Sequence, residues 1–276
     1  MKHIFHILMI CSGFFFIGCQ ENGSVAELQP GDQVFPETAI RSEVQMKQIA
    51  GGDYLPFYGT DSVLIHVDDF LLDERPVTNR EFLDFVQKNP QWKKSNVRRL
   101  FADETYLAHW ETDDSPGEKV NPDAPVTFVS WFAANAYAKS AGKRLPTVDE
   151  WEYVAMADET SANARTKPEY SSEIIRLYEI KYRERNSVKQ SAPNYHGIYN
   201  MFDLVWEWTE DFNSVLTTND SRTAEYDNKG LFCASAATTA TDVLNYAAFM
   251  RFAFRQSLKA NYTVANLGFR CAKDLD

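Results

Sequence analysis

Ala141-Gly-Lys-Arg-Leu-Pro-Thr-Val-Asp-Glu-Trp-Glu-Tyr153 closes one helix, crosses a short turn and opens another. Thr147 and Glu150 form a capping box, in which the hydroxyl accepts from the third helical N–H and the carboxylate reaches back to the cap. Trp151, Val154 and Ala155 then recur on one face of the new helix. Upstream, a helix capped by Ser130 carries Ala133, Ala134, Tyr137 and Ala138 and ends at Gly142. Further upstream, Thr78 and Glu81 repeat the capping box ahead of Phe82, Phe85 and Val86, and Pro90 stops that helix. Val63-Leu64-Ile65-His66-Val67 reads as a strand feeding Phe70-Leu71-Leu72. Ser172 to Glu184 reads as a further helix inserted into the domain, and the remainder is short segments broken by Asn, Asp, Gly and Ser. A few short helices with much irregular chain predict an α+β fold, one compact domain over residues 44–276.

The N-terminus carries a different signal. Lys2 precedes an apolar run, Ile4 to Ile17, that is too short to span a bilayer, which takes about 20 residues. It has the size of a signal-peptide core and ends in Phe16-Ile17-Gly18-Cys19. A small residue before cysteine is what lipoprotein processing requires, so residues 1–18 are expected to be a signal peptide and Cys19 to be acylated. Residues 19–43, polar and containing Pro30, Gly31 and Pro36, then read as a lipidated tether. Two or more acyl chains are what stable membrane attachment needs. The expected location is exported and periplasm-facing. Gln20 favours the outer membrane over the inner.

The chain has 39 acidic and 28 basic side chains, a net charge of −11, and no Lys/Arg cluster, which excludes nucleic acid as the expected partner. Aromatic content of 14% requires a real core. His66, His109 and His196 are scattered and match no metal-binding or catalytic spacing.

Six segments, taken together, resemble the formylglycine-generating enzyme (sulfatase-modifying factor) family. They are Arg75-Pro-Val-Thr-Asn-Arg-Glu-Phe82, Pro125-Val-Thr-Phe-Val-Ser-Trp131, the 141–153 stretch, Pro193-Asn-Tyr-His-Gly-Ile-Tyr-Asn-Met201, Val205-Trp-Glu-Trp-Thr209 and Asn266-Leu-Gly-Phe-Arg-Cys-Ala272. The resemblance implies a single C-type-lectin-related domain. Trp131, Trp151, Trp206 and Trp208 are expected to serve as core or groove aromatics, and Arg144 and Arg270 to hydrogen-bond loop carbonyls.

The resemblance also shows where this chain departs. Catalytic members hold copper with two cysteines that have four residues between them, soft ligands suited to Cu(I). Counting back from Arg251 and Arg255 places those positions at Asp242 and Ala247. The family's calcium-binding Asn falls at Leu204, leaving Glu207 and Asp203 as weak oxygen ligands. The terminal cysteine's usual disulfide partner falls at Ala138. Cys233 and Cys271 therefore admit three readings: a disulfide, two inert thiols, or a Cu(I) site helped by Met201 or Met250. Neither copper nor calcium is firmly supported as a cofactor, and no residue is assigned a catalytic role. Asn245-Tyr-Ala-Ala-Phe-Met-Arg-Phe-Ala-Phe-Arg255 more narrowly resembles a subfamily associated with copper-containing nitrite reductases. Three functions stay open. One is a non-catalytic accessory or binding factor for a periplasmic copper enzyme, one a copper-dependent oxidase forming formylglycine, and one a structural lipoprotein of a secretion or gliding machine.

Overall fold

Both capping boxes are built as the local sequence dictates. In the computed structural model, which describes residues 37–56, 64–179, 187–213 and 243–275 (only the backbone at 243–245), Thr78 opens α1 (Asn79–Lys88) and Thr147 opens α3 (Val148–Ala155). In each, the threonine side chain accepts from the N3 backbone while the N3 glutamate returns to the cap. Helix α2 (Trp131–Ser140) is capped by Ser130 and followed by Gly142, whose φ of 67° suits a glycine past a helix end. Most of α2 is buried, which explains why it is built of alanine and not of an amphipathic stripe.

The strands are short. β1 (Met46–Ile49), β4 (Phe70–Asp73) and β7 (Ala272–Asp274) form an antiparallel sheet in the order β1-β4-β7. β2 (Gly52–Tyr54) pairs antiparallel with β3 (Ile65–Val67), and β5 (Trp206–Glu207) pairs parallel with β6 (Leu267–Gly268). One core gathers Phe82, Phe85, Tyr137, Trp208 and Phe269 between α1, α2 and the β5–β6 pair. A second gathers Ile49, Phe70, Leu72, Trp151 and Val154 between the three-stranded sheet and α3. Among the described residues no helix is long and apolar enough to cross a membrane.

Two sequence expectations change, and the terminal motif is resolved. The inserted helix, α4 (Pro168–Glu179), begins four residues earlier than read, because Pro168 has no N–H and so leaves none unpaired in the first helical turn. The terminal motif is divided between two sheets: Leu267–Gly268 pairs with β5, Ala272–Asp274 pairs with β4, and the residues between cross from one to the other. The longest helix of the described chain, α5 (Val243–Gln256), lies in a region read as irregular. Its apolar residues wrap most of the cylinder and its arginines are buried, so no clean amphipathic period marks it. The expected signal peptide, residues 19–36 of the expected tether with Cys19, and Cys233 and Asp242 lie outside the described residues. Residues 37–43 of that tether lie against the domain: the Thr38 N–H donates to Asn89 Oδ1 at 2.6 Å, the Ile40 N–H donates to the Ser140 carbonyl at 2.9 Å, and the Ile40 side chain packs on the first core.

Candidate functional site

Glu152 sits on the inward face of α3, and Arg251 and Arg255 lie one turn apart on α5 facing it. Arg251 donates through Nε to Oε1 at 2.9 Å and through Nη2 to Oε2 at 2.7 Å, a two-pronged contact. Arg255 Nη1 donates to Oε1 at 2.7 Å. All three side chains are buried. Burial alone would push the Glu152 carboxyl up, but the two guanidinium groups hold it below its ordinary range. Arg251 also donates to the Tyr178 hydroxyl of α4 at 3.2 Å.

Trp151 links this cluster to a second one. The Arg255 guanidinium lies 4.9 Å from the centre of its ring, a cation–π distance. Its Nε1 donates to Glu207 Oε2 at 2.8 Å. Arg270 also grips Glu207, through Nε to Oε2 and Nη2 to Oε1, both at 2.8 Å. The same Nη2 reaches the carbonyls of Tyr199 and Asn200 at 3.0 and 3.1 Å, tying the 193–201 segment to the terminal one. Trp206 packs against Tyr178 and Phe254 in tilted ring contacts, with ring centres at 4.9 and 4.6 Å. The space left among these side chains is about 10 Å³, the room of a single water.

The structure thus brings Trp151, Trp206, Glu207 and Arg270 together, and it leaves the other candidates elsewhere. Trp131 donates to the Thr209 carbonyl at 3.0 Å and Trp208 to that of Val129 at 2.9 Å, both inside the α1–α2 core. Arg144 clasps Glu150 at 2.7 and 2.6 Å and also reaches Asp274 and the Leu145 carbonyl, fastening α3 to the end of β7. His66 is exposed against Asp53, and His109 stacks on Phe128. Glu152, Arg251, Arg255 and Tyr178 were not singled out from the sequence as a site. The signal available was a pair of arginines at helical spacing inside an otherwise apolar run.

Neither metal fits the residues described. Both oxygens of Glu207 are occupied by Arg270 and Trp151, Leu204 is buried, and Asp203 accepts from Asn200 Nδ2 at 3.1 and 3.0 Å. Cys271 is fully buried, and burial pushes its thiol well above the usual range, opposite to what a thiolate ligand needs. Its backbone N–H donates to Asp73, which also accepts from Lys143 at 2.5 Å. Among the described residues no group of three or more His, Cys, Asp or Glu side chains is arranged to hold a metal ion. Ala247 is only 2% exposed and packs with Ala164, Tyr170 and Ile174, beneath α4.

The sulfatase-modifying factor enzyme 1-like domain matches residues 33–275. The chain belongs to this family. Among its relatives, the formylglycine-generating enzyme of Streptomyces coelicolor is 32% identical over 91% of this chain and 95% of its own. The inactive C-alpha-formylglycine-generating enzyme 2 of Bos taurus is 26% identical over 83% of this chain and 88% of its own. The solved structure of PvdO from Pseudomonas aeruginosa aligns with a TM-score of 0.47 and 17% identity, over 87% of this chain and 99% of that one. For this sulfatase-modifying factor domain, the Glu152 and Glu207 clusters are saturated networks. Each charged group faces an opposite one, as buried charges must.

Proposed function

We propose that this chain is an exported lipoprotein whose domain has lost the copper-binding cysteine pair and serves as a non-catalytic accessory or binding factor. The observation that carries this reading is Ala247. A residue without a ligand atom stands at the position that the motif spacing assigns to one copper cysteine, and α4 covers it with Tyr170 and Ile174. A cysteine on another protein could not approach that point without displacing α4. Relatives named as formylglycine-generating enzyme and as its inactive counterpart both align with most of this chain, so activity is decided at the site and not by the fold. The partner we infer is a periplasmic copper enzyme of the nitrite reductase class, on the resemblance carried by Asn245–Arg255.

The test of catalysis uses full-length protein in detergent, a sulfatase-type cysteine peptide, oxygen and added copper. No aldehyde product is expected by mass spectrometry, with or without the metal. Repeated turnover to the aldehyde sinks the proposal in favour of an oxidase.

The anchor makes a separate prediction, motivated by the apolar run that ends at Gly18-Cys19. Labelled fatty acid enters the wild type, and the Cys19→Ser protein leaves the membrane fraction. Retention of that variant, with no label in the wild type, refutes the lipoprotein assignment.

A further inference from the structure

Beside α4 lies an open cleft of about 410 Å³, within the range of ligand-binding sites. One wall is α4 itself, from Glu169 to Leu177, and the other is formed by residues between Ser191 and Asp203. Leu177, Ile198 and Phe202 give it an apolar floor. Its rim is acidic. Lys167 pairs with Asp158 and Arg176 with Glu173, which leaves Glu159, Glu169 and Asp203 without a cation against them among the described residues.

We propose that this cleft binds an extended segment of a partner protein, one that presents basic side chains with apolar stems or neighbours. The charge requires a cation, and the floor requires an apolar body, a combination met by the methylene stems and charged heads of Lys and Arg. Length argues for a peptide over a small cation. Glu169 and Leu177 are eight residues apart on one helix, about 12 Å at a rise of 1.5 Å per residue. That length seats three or four residues of extended chain at roughly 3.3 Å each. The inference deepens the binding-factor reading and rests on it, since it names the chemistry of the partner surface. It does not use the Ala247 position, and the cleft adjoins the filled space around Trp206, with Met201 and Phe202 lining both.

The probe is the fluorescein-labelled tetrapeptide Leu-Arg-Leu-Lys, titrated with full-length protein in detergent and followed by fluorescence anisotropy. Saturable binding below about 1 mM is expected, weakening as salt is raised. The Glu159→Gln/Glu169→Gln protein, changed only at exposed positions, should keep its melting temperature and bind about five- to tenfold more weakly. The inference is overturned by no binding, by equal binding of Leu-Glu-Leu-Asp, by unchanged affinity in the double variant, or by free arginine competing as well as the peptide. A protein that forms no aldehyde and also ignores the basic peptide fails this inference alone. Aldehyde formation fails the reading beneath it.

Discussion

Glu152→Ala is expected to lower the melting temperature by roughly 10 °C, measured by circular dichroism on full-length protein. The change removes the one carboxylate that faces both Arg251 and Arg255 and leaves two guanidinium groups in a space with almost no water. Breaking a buried ion pair by deleting one partner costs about 3–5 kcal/mol, because the remaining charge stays desolvated. In a domain of this size each kcal/mol is worth roughly 2–4 °C. The pH dependence has a definite sign. The carboxyl of Glu152 is held below its ordinary value of 4.5, so its stabilisation is present above that pH and is lost as acid carries the pH down through the lowered value. Asp73 acts the other way. Burial raises its pKa from 3.8 to about 6, so its contribution is present below the lower value and lost as pH rises through the higher. Against the wild type, Glu152→Ala should therefore lose less stability on acidification below pH 4.5. Replacing all three charged residues together with apolar ones of similar size should restore much of the lost stability, since the pair's desolvation cost disappears with it. A shift below about 2 °C for Glu152→Ala would mean that the cluster is hydrated and that α5 does not depend on it.

Gly268→Ala is the second change with a large expected effect. Gly268 belongs to β6 opposite Glu207, and its carbonyl accepts from the Trp208 N–H at 2.9 Å. A Cβ added there would lie 2.7 Å from the Val126 carbonyl oxygen and 3.2 Å from a Val205 methyl. The carbonyl is backbone and not the far end of a flexible side chain, so it yields only if the chain itself shifts, and the bond from the Val126 N–H to Val77 O opposes that shift. Overpacking of this kind costs about 3 kcal/mol, and the strain falls on the pairing that holds Trp206 and Glu207 in place. The expected result is a melting temperature lowered by roughly 6–12 °C together with altered tryptophan fluorescence. Gly142→Ala is the control. It meets no atom within 4 Å, but φ there is +67°, so only the conformational penalty of about 1–2 kcal/mol should appear. If the two variants melt together, the close approach at Gly268 does not carry the stability assigned to it.

By itself the sequence determined whatever is encoded within a few residues. The boxes Thr78–Glu81 and Thr147–Glu150, the Ser130 cap and Gly142 mark helix ends through contacts three or four positions long, and the order of the motifs determined the family and with it the fold. Tertiary structure alone decided the site. The Glu152 cluster joins residues 99 and 103 positions apart, and the one local mark, two arginines at helical spacing in an apolar run, does not name the carboxylate they face. α5 was not legible either, because Arg251 and Arg255 are buried along with its apolar residues and no solvated face marks a helical period. The division of Leu267–Asp274 between two sheets and the covering of Ala247 by α4 were likewise decided by which distant backbone or side chain supplied the partner. A helix cap is satisfied by its own neighbours, whereas a buried charge is satisfied only by what the whole chain brings to it.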